Sequence, residues 1–167
     1  ALAQCRRRIH ELAPDALARQ TVGPGRCEVV VVLDGASLPA EAGARLAARG
    51  VRLERLERRS GPGAARNRGA AAARGGILAF TEDDCLPDPD WLANAARRFE
   101  DEPEIDVLDG LTEKPGGHPV RLRPGNDPLY LPTNLFVRRA AFARAGGFCE
   151  SFYEPEGAVY FREDSDF

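Results

Sequence analysis

The segment EVVVVL at 28–33 is dominated by an unbroken β-branched run and is closed by Asp34-Gly35. Apolar runs of this length suit a strand buried on both faces, as in a parallel sheet covered by helices. Leu38, Ala42 and Leu46 then recur every four residues, with Arg45 and Arg49 off that stripe, which predicts an amphipathic helix. VRLERL at 51–56 alternates apolar and charged positions, as expected of a strand with one solvated face. Gly61-Pro62-Gly63 breaks the chain ahead of an Ala-rich helix expected to run to about Arg74 and to pack closely on a sheet. Gly75-Gly76 ends it, and Ile77–Phe80 predicts another short buried strand.

Leu92, Ala95, Ala96 and Phe99 fall at helical spacing, with Asp90 expected to cap that helix. Ile105–Leu111 is the next strand candidate. The stretch 113–128 has no periodicity and reads as a long connection. Leu135-Phe136-Val137 predicts a short strand, and Arg139–Ala145 a short helix stopped by Gly146-Gly147. Strand and helix alternate throughout, which predicts an α/β domain with a mostly parallel sheet. Residues 2–12 are expected to be helical, with no strand ahead of them. Both ends are therefore expected to be cut within the fold, and the absence of any methionine points the same way.

Composition narrows the function more than the fold. The 167 residues suit one domain, and a net charge of −3 argues against a nucleic-acid surface. Lys114 is the only lysine, and the arginines are spread along the chain and matched by acids. No apolar stretch approaches the roughly 20 residues of a membrane span; a cytoplasmic setting is expected, with peripheral membrane association through segments outside this sequence as the alternative. Cys5, Cys27, Cys85 and Cys149 form no C-x-x-C pair and are expected to be free thiols. His10 and His118 lack partners at metal-ligand spacing.

The stretch FTEDDCLPDPDW at 80–91 places Glu82, Asp83 and Asp84 directly behind a predicted buried strand. Asp34 stands in the same position behind the predicted buried strand at 28–33. In open α/β sheets ligands bind outside the carboxyl ends of the strands, so the two acidic sites are expected at one edge. Hard divalent cations such as Mg2+ and Mn2+ take carboxylate oxygens and complete their shell with water or phosphate. Helix capping is the plain alternative for these acids, but the cluster sits several residues ahead of the helix it would cap.

Four segments in order resemble the family 2 inverting glycosyltransferases of GT-A fold: EVVVVLDGAS, GPGAARNRGAAAARGGILAF, TEDDCLPDPDWL, and TNLFVRRAAFARAGGFCESF followed by REDSDF. The resemblance implies a Rossmann-like three-layer GT-A sandwich. Residues 1–112 would form the half that binds nucleotide sugar and metal, and residues 113–167 the acceptor-side half. It further implies that Asp34 meets the nucleotide base, Arg66 the donor phosphates and Asp83 the donor hydroxyls. Asp84 would be the main ligand of Mn2+ or Mg2+, with Glu82 in the first acidic place of the metal motif. Asp164 of the Glu163-Asp164 pair would be the catalytic base, and Asn134 and Gly147 would line the acceptor side.

The resemblance also implies a nucleotide-diphosphate sugar donor, with UDP-sugars favoured by family habit. The acceptor would be a glycan, a lipid or a small molecule. Leu33 stands where the family often has a first Asp, Glu82 is one methylene longer than the usual Asp, and Phe148-Cys149 replaces a frequent Phe-Asp. Two other readings stay open at this point: a nucleotidyltransferase of similar architecture, and a non-catalytic relative that binds a nucleotide or glycan. Asn67 and Gly69 are expected to be structural, Asn67 as a local hydrogen bonder, and Trp91 is expected in the core.

Overall fold

A computed structural model describes residues 2–3, 13–23, 25–83, 85–114, 118–119 and 132–151. Strand β2 (Val29–Asp34) lies between β1 (Leu2–Ala3) and β3 (Val51–Leu56), and both pairings are parallel. Helix α1 (Ala13–Ala18) precedes β2, helix α2 (Ala40–Ala48) joins β2 to β3, and helix α3 (Gly61–Ala72) follows β3. The β-branched run of β2 is buried from Val30 to Leu33, and its period of two divides it between two helical layers. Val30 and Val32 pack with Ala65 of α3; Val31 and Leu33 pack with Leu17, Leu46 and Val51. Full burial of one such aliphatic side chain contributes about 1.5–3 kcal/mol.

The opening of the chain differs from expectation. Residues 2–12 were expected to be helical throughout, yet Leu2 and Ala3 pair in parallel with Val31 and Val32. They supply the leading strand that the sequence pattern did not show. Two residues are too short to display periodicity, and only the neighbouring strand's free edge identifies them as β.

A second sheet has the order β4-β8-β5, from β4 (Ile77–Phe80), β5 (Val107–Asp109) and β8 (Leu135–Arg138). Its alternation again serves two layers. Leu78 and Phe80 pack with Phe142 of α5 (Arg139–Ala145) and with Phe148, while Ile77 and Ala79 pack against Ala95 and Phe99 of α4 (Trp91–Asp101). Strand β8 runs antiparallel to both neighbours, with Leu135 opposite Phe80 and opposite Asp109. Strand β8 starts beside the end of β5, so the two strands run in opposite directions. The expected connection from 113 contains a small antiparallel pair, β6 (Glu113–Lys114) with β7 (His118–Pro119).

Asp90 occupies the residue ahead of α4, but its side chain makes no capping hydrogen bond. Gln20 does that work from the end of α1: its Oε1 accepts the Leu92 N–H at 2.9 Å, and its Nε2 donates to the Asp88 carbonyl at 2.7 Å. The first turn of a helix leaves its amides without intrahelical partners, and here a side chain distant in sequence satisfies one. No helix among the described residues is long and apolar enough to cross a membrane.

Candidate active site

Helix α3 gathers the candidate site, and its small residues let it do so. Gly61, Gly63, Ala64, Ala65, Gly69 and Ala70 are all buried, so the helix lies close against the strands and their loops. Asp34, the last residue of β2, reaches its N-terminus. Asp34 Oδ1 accepts the Ser60 N–H at 2.7 Å, and Oδ2 accepts the Gly61 N–H at 2.9 Å. A carboxylate at a helix N-terminus satisfies orphan amides and meets the positive end of the macrodipole. Each carboxylate oxygen keeps a further acceptor site beyond these two bonds. Gly35 follows with φ +60°, and a Cβ there would stand 2.4 Å from the Arg59 backbone nitrogen. Only glycine fits this turn.

The second anchor is Arg66, five residues into α3 from Gly61 and about 7.5 Å from the helix start by axial rise. Its side chain is 6% exposed, and its Nη2 lies 3.2 Å from Glu82 Oε1, just beyond β4. The guanidinium also faces the Phe148 ring at 5.3 Å from the centroid. The helix thus places the ends of β2 and β4, which the sequence singled out separately, on one short piece of scaffold. Asp83 is half-buried beside Glu82.

The acceptor-side candidates sit on the same framework. Gly146 (φ +83°) and Gly147 (φ +80°) close α5: the Gly146 N–H donates to the Ala143 carbonyl and the Gly147 N–H to the Phe142 carbonyl. This paired pattern is the Schellman motif, which requires a left-handed residue after the helix. It turns the chain back onto α3. Asn67, expected to bond locally, instead bonds 81 residues away: its Nδ2 donates to the Phe148 carbonyl at 2.8 Å and its Oδ1 accepts the Phe148 N–H at 2.9 Å. The sequence segment AARNRG held no sign of that partner.

Asn134 precedes β8 at the edge where β4 and β5 end. Its Oδ1 accepts from Trp91 Nε1 at 2.7 Å, and its Nδ2 donates to the Leu111 carbonyl at 2.9 Å. The Asn134 carbonyl accepts the Gly110 N–H at 2.8 Å. The amide therefore braces the exit of β5, and a bulkier residue at 110 would meet it at 2.2 Å. Trp91 is half-buried against Phe136, with ring centroids 4.7 Å apart, as a core role requires.

Asp84, Glu163 and Asp164 lie outside the described residues, as does Cys5. Among the described residues no group of three His, Cys, Asp or Glu side chains is arranged to hold a metal ion. The donor set at 82–84 nevertheless fits a hard divalent cation in kind, since it offers carboxylate oxygens only. One carboxylate oxygen of Glu82 already lies 3.2 Å from the Arg66 guanidinium. Among the described residues, Cys27, Cys85 and Cys149 form no disulfide with one another.

No curated protein matches the sequence. Among solved structures, a crystal structure of S. aureus TarS is 23% identical with a TM-score of 0.74, over 95% of this chain and 30% of that one. TarS 1–349 in complex with UDP is 23% identical with a TM-score of 0.71, over 89% of this chain and 49% of that one. The mannosyltransferase PcManGT from Pyrobaculum calidifontis, in complex with GDP-Man and Mn2+, is 25% identical with a TM-score of 0.65. That match covers 81% of this chain and 42% of the other. The chain therefore spans less than half the length of these proteins, and it shares with them the α/β fold expected of a GT-A domain. The family model described as Glycosyl transferase family 2 matches residues 11–166, so the chain belongs to that family.

Proposed function

We propose that the protein transfers a sugar from a nucleotide-diphosphate sugar to an acceptor hydroxyl, with inversion at the anomeric carbon and in a divalent-metal-dependent manner. The observation that carries this reading is the convergence on α3: Asp34, the Arg66–Glu82 pair and the 147–148 turn all attach to its first seven residues. A fixed guanidinium fork beside a carboxylate cluster suits a diphosphate held together with a cation. That UDP and GDP-Man are bound by similar structures supports a nucleotide-sugar donor.

In this reading Asp34 presents its remaining acceptor sites to the N–H of the nucleotide base. Arg66 meets the donor phosphates and Asp83 the donor hydroxyls. Asp84, with Glu82 as a secondary ligand, would hold Mn2+ or Mg2+, which would supply positive charge against the donor diphosphate. Asp164, with Glu163 beside it, takes the proton from the acceptor hydroxyl as general base. The acceptor oxygen forms its bond to the anomeric carbon while the carbon–oxygen bond to the diphosphate breaks. The electron pair leaves with the nucleoside diphosphate, and one displacement inverts the centre. Gly147 and the Asn134 brace shape the acceptor side. The acceptor is a glycan, a lipid or a small molecule, and the setting is cytoplasmic.

Full-length protein incubated with Mn2+ and a panel of nucleotide sugars tests the reading. Metal-dependent release of nucleoside diphosphate with an inverted product is the expected result. Pyrophosphate chemistry would instead favour a nucleotidyltransferase, and binding without turnover a non-catalytic relative.

A further inference from the structure

One side chain of α3 fastens the turn that follows α5. Asn67 brackets Phe148, accepting its N–H and donating to its carbonyl, and the same Nδ2 reaches Glu150 Oε1 at 2.8 Å. An asparagine amide has two donor hydrogens and one acceptor oxygen, and all are used here. The approach is close on both sides. A Cβ at Gly147 would stand 2.6 Å from Asn67 Oδ1, and one at Gly63 would stand 2.9 Å from the Cys149 carbonyl oxygen.

The turn so held places Phe148 at 2% exposure, edge-on to Phe80 with ring centroids 5.2 Å apart. Arg66 Cζ then faces that ring at 5.3 Å while its Nη2 meets Glu82. Neighbouring residues on a helix project about 100° apart. Asn67 therefore grips the turn while Arg66, one residue earlier, spans the ring toward β4. The side-chain hydrogen bonds of Asn67 go to Phe148 and Glu150, so it acts on the candidate site through Phe148 and Arg66.

We propose that Asn67 is a positioning residue that couples the acceptor-side turn to the donor-side charge pair: by fixing residues 147–150 on α3 it sets the Phe148 ring that supports Arg66 at Glu82. The inference rests on the reading above, in which Arg66 meets the donor diphosphate. A loosened turn then weakens nucleotide binding only through Arg66.

Equilibrium titration of full-length protein with UDP and with GDP, each in the presence of Mn2+, tests this in a double-mutant cycle. Asn67→Ala is expected to weaken nucleotide binding about fivefold or more, within the range that coupled neighbours show. In the Arg66→Met background the same substitution is expected to have no further effect. Equal weakening in both backgrounds overturns the proposal, because a general loss of stability acts whether or not Arg66 is present. Phe148→Leu, which keeps apolar bulk and removes the ring, provides the second arm should Asn67→Ala fail to fold. It is expected to weaken binding in an Arg66-dependent way, and unchanged affinity overturns the proposal. Wild-type protein that binds neither nucleotide overturns the donor-site reading and the proposal together; binding insensitive to both substitutions overturns the proposal alone.

Discussion

The carboxylate of Asp34 holds the first amide of α3: its Oδ2 accepts the Gly61 N–H at 2.9 Å across 27 residues of chain. The end of one strand and the start of the next but one helix are thereby fixed to each other, which makes Asp34 structural as well as a candidate ligand. Asp34→Ala removes the acceptors of both Ser60 and Gly61. It is expected to cost about 0.5–2 kcal/mol, the range of helix capping losses, read as a lower urea midpoint with an unchanged slope. Asp34→Asn keeps one acceptor oxygen and is expected to lose less.

The Arg66–Glu82 pair is unequal in exposure, at 6% and 36% for the two side chains. Water can solvate Glu82 when Arg66→Met removes the charge, and the apolar replacement still packs against Phe148. Glu82→Met instead takes a partner from a guanidinium buried away from water. The second substitution is expected to be the more destabilising, by about 1–3 kcal/mol, in urea denaturation. Nucleotide affinity is expected to follow the reverse order, falling most in Arg66→Met.

Two glycines provide a contrast in backbone demand. Gly147→Ala places a side chain at φ +80° and against Asn67, so it is expected to cost at least about 1–2 kcal/mol. Gly43 lies within α2 with open space around its Cβ direction. Gly43→Ala is expected to raise stability by about 0.5–1 kcal/mol. Thermal unfolding of the two variants should move in opposite directions.

Acid stability should depend on Glu28. Partial burial acts to raise its carboxyl, but the Arg74 and Gly75 backbone amides together with the Arg74 and Arg52 charges outweigh it and hold the group below its ordinary 4.5. A carboxyl depressed in the folded state contributes stability that is fully present above the unfolded pKa and is lost as pH falls through the folded one. Glu28→Gln is therefore expected to flatten the loss of stability below about pH 4.5 and leave its pH dependence near neutrality unchanged. Urea midpoints measured from pH 7 to pH 3 check this.

The proposed chemistry separates two carboxylates by kinetics. Asp164→Asn is expected to lower kcat about 10²- to 10⁴-fold, the usual contribution of a general base, with nucleotide affinity unchanged. Asp84→Ala is expected to abolish the stimulation of turnover by Mn2+ and to weaken Mn2+-dependent UDP binding. Transfer left intact in both variants would refute the mechanism.

Most elements were legible in the sequence because their signals are local. The β-branched run gave β2, the alternation of VRLERL gave β3, and Gly146-Gly147 marked where α5 stops, while α3 ends at Ala72, ahead of the expected Gly75-Gly76 stop. Asp34 and Glu82 stood out for the same reason, as polar residues placed directly behind buried strands. The leading strand at Leu2–Ala3 was missed because two residues carry no period, and the cap of α4 because it comes from Gln20 rather than Asp90.

The sequence by itself determined the alternating α/β order, the buried strands and the acidic positions at their ends, since hydrophobic periodicity and turn residues act over a few neighbours. Only the tertiary structure decided which of those positions meet. That Asp34 caps α3, that Arg66 faces Glu82 and that Asn67 holds Phe148 all depend on contacts between residues 16 to 81 positions apart. No short-range pattern encodes such pairings. They follow from how closely the small residues of α3 let it approach the strands, and from the edge at which β8 re-enters the sheet.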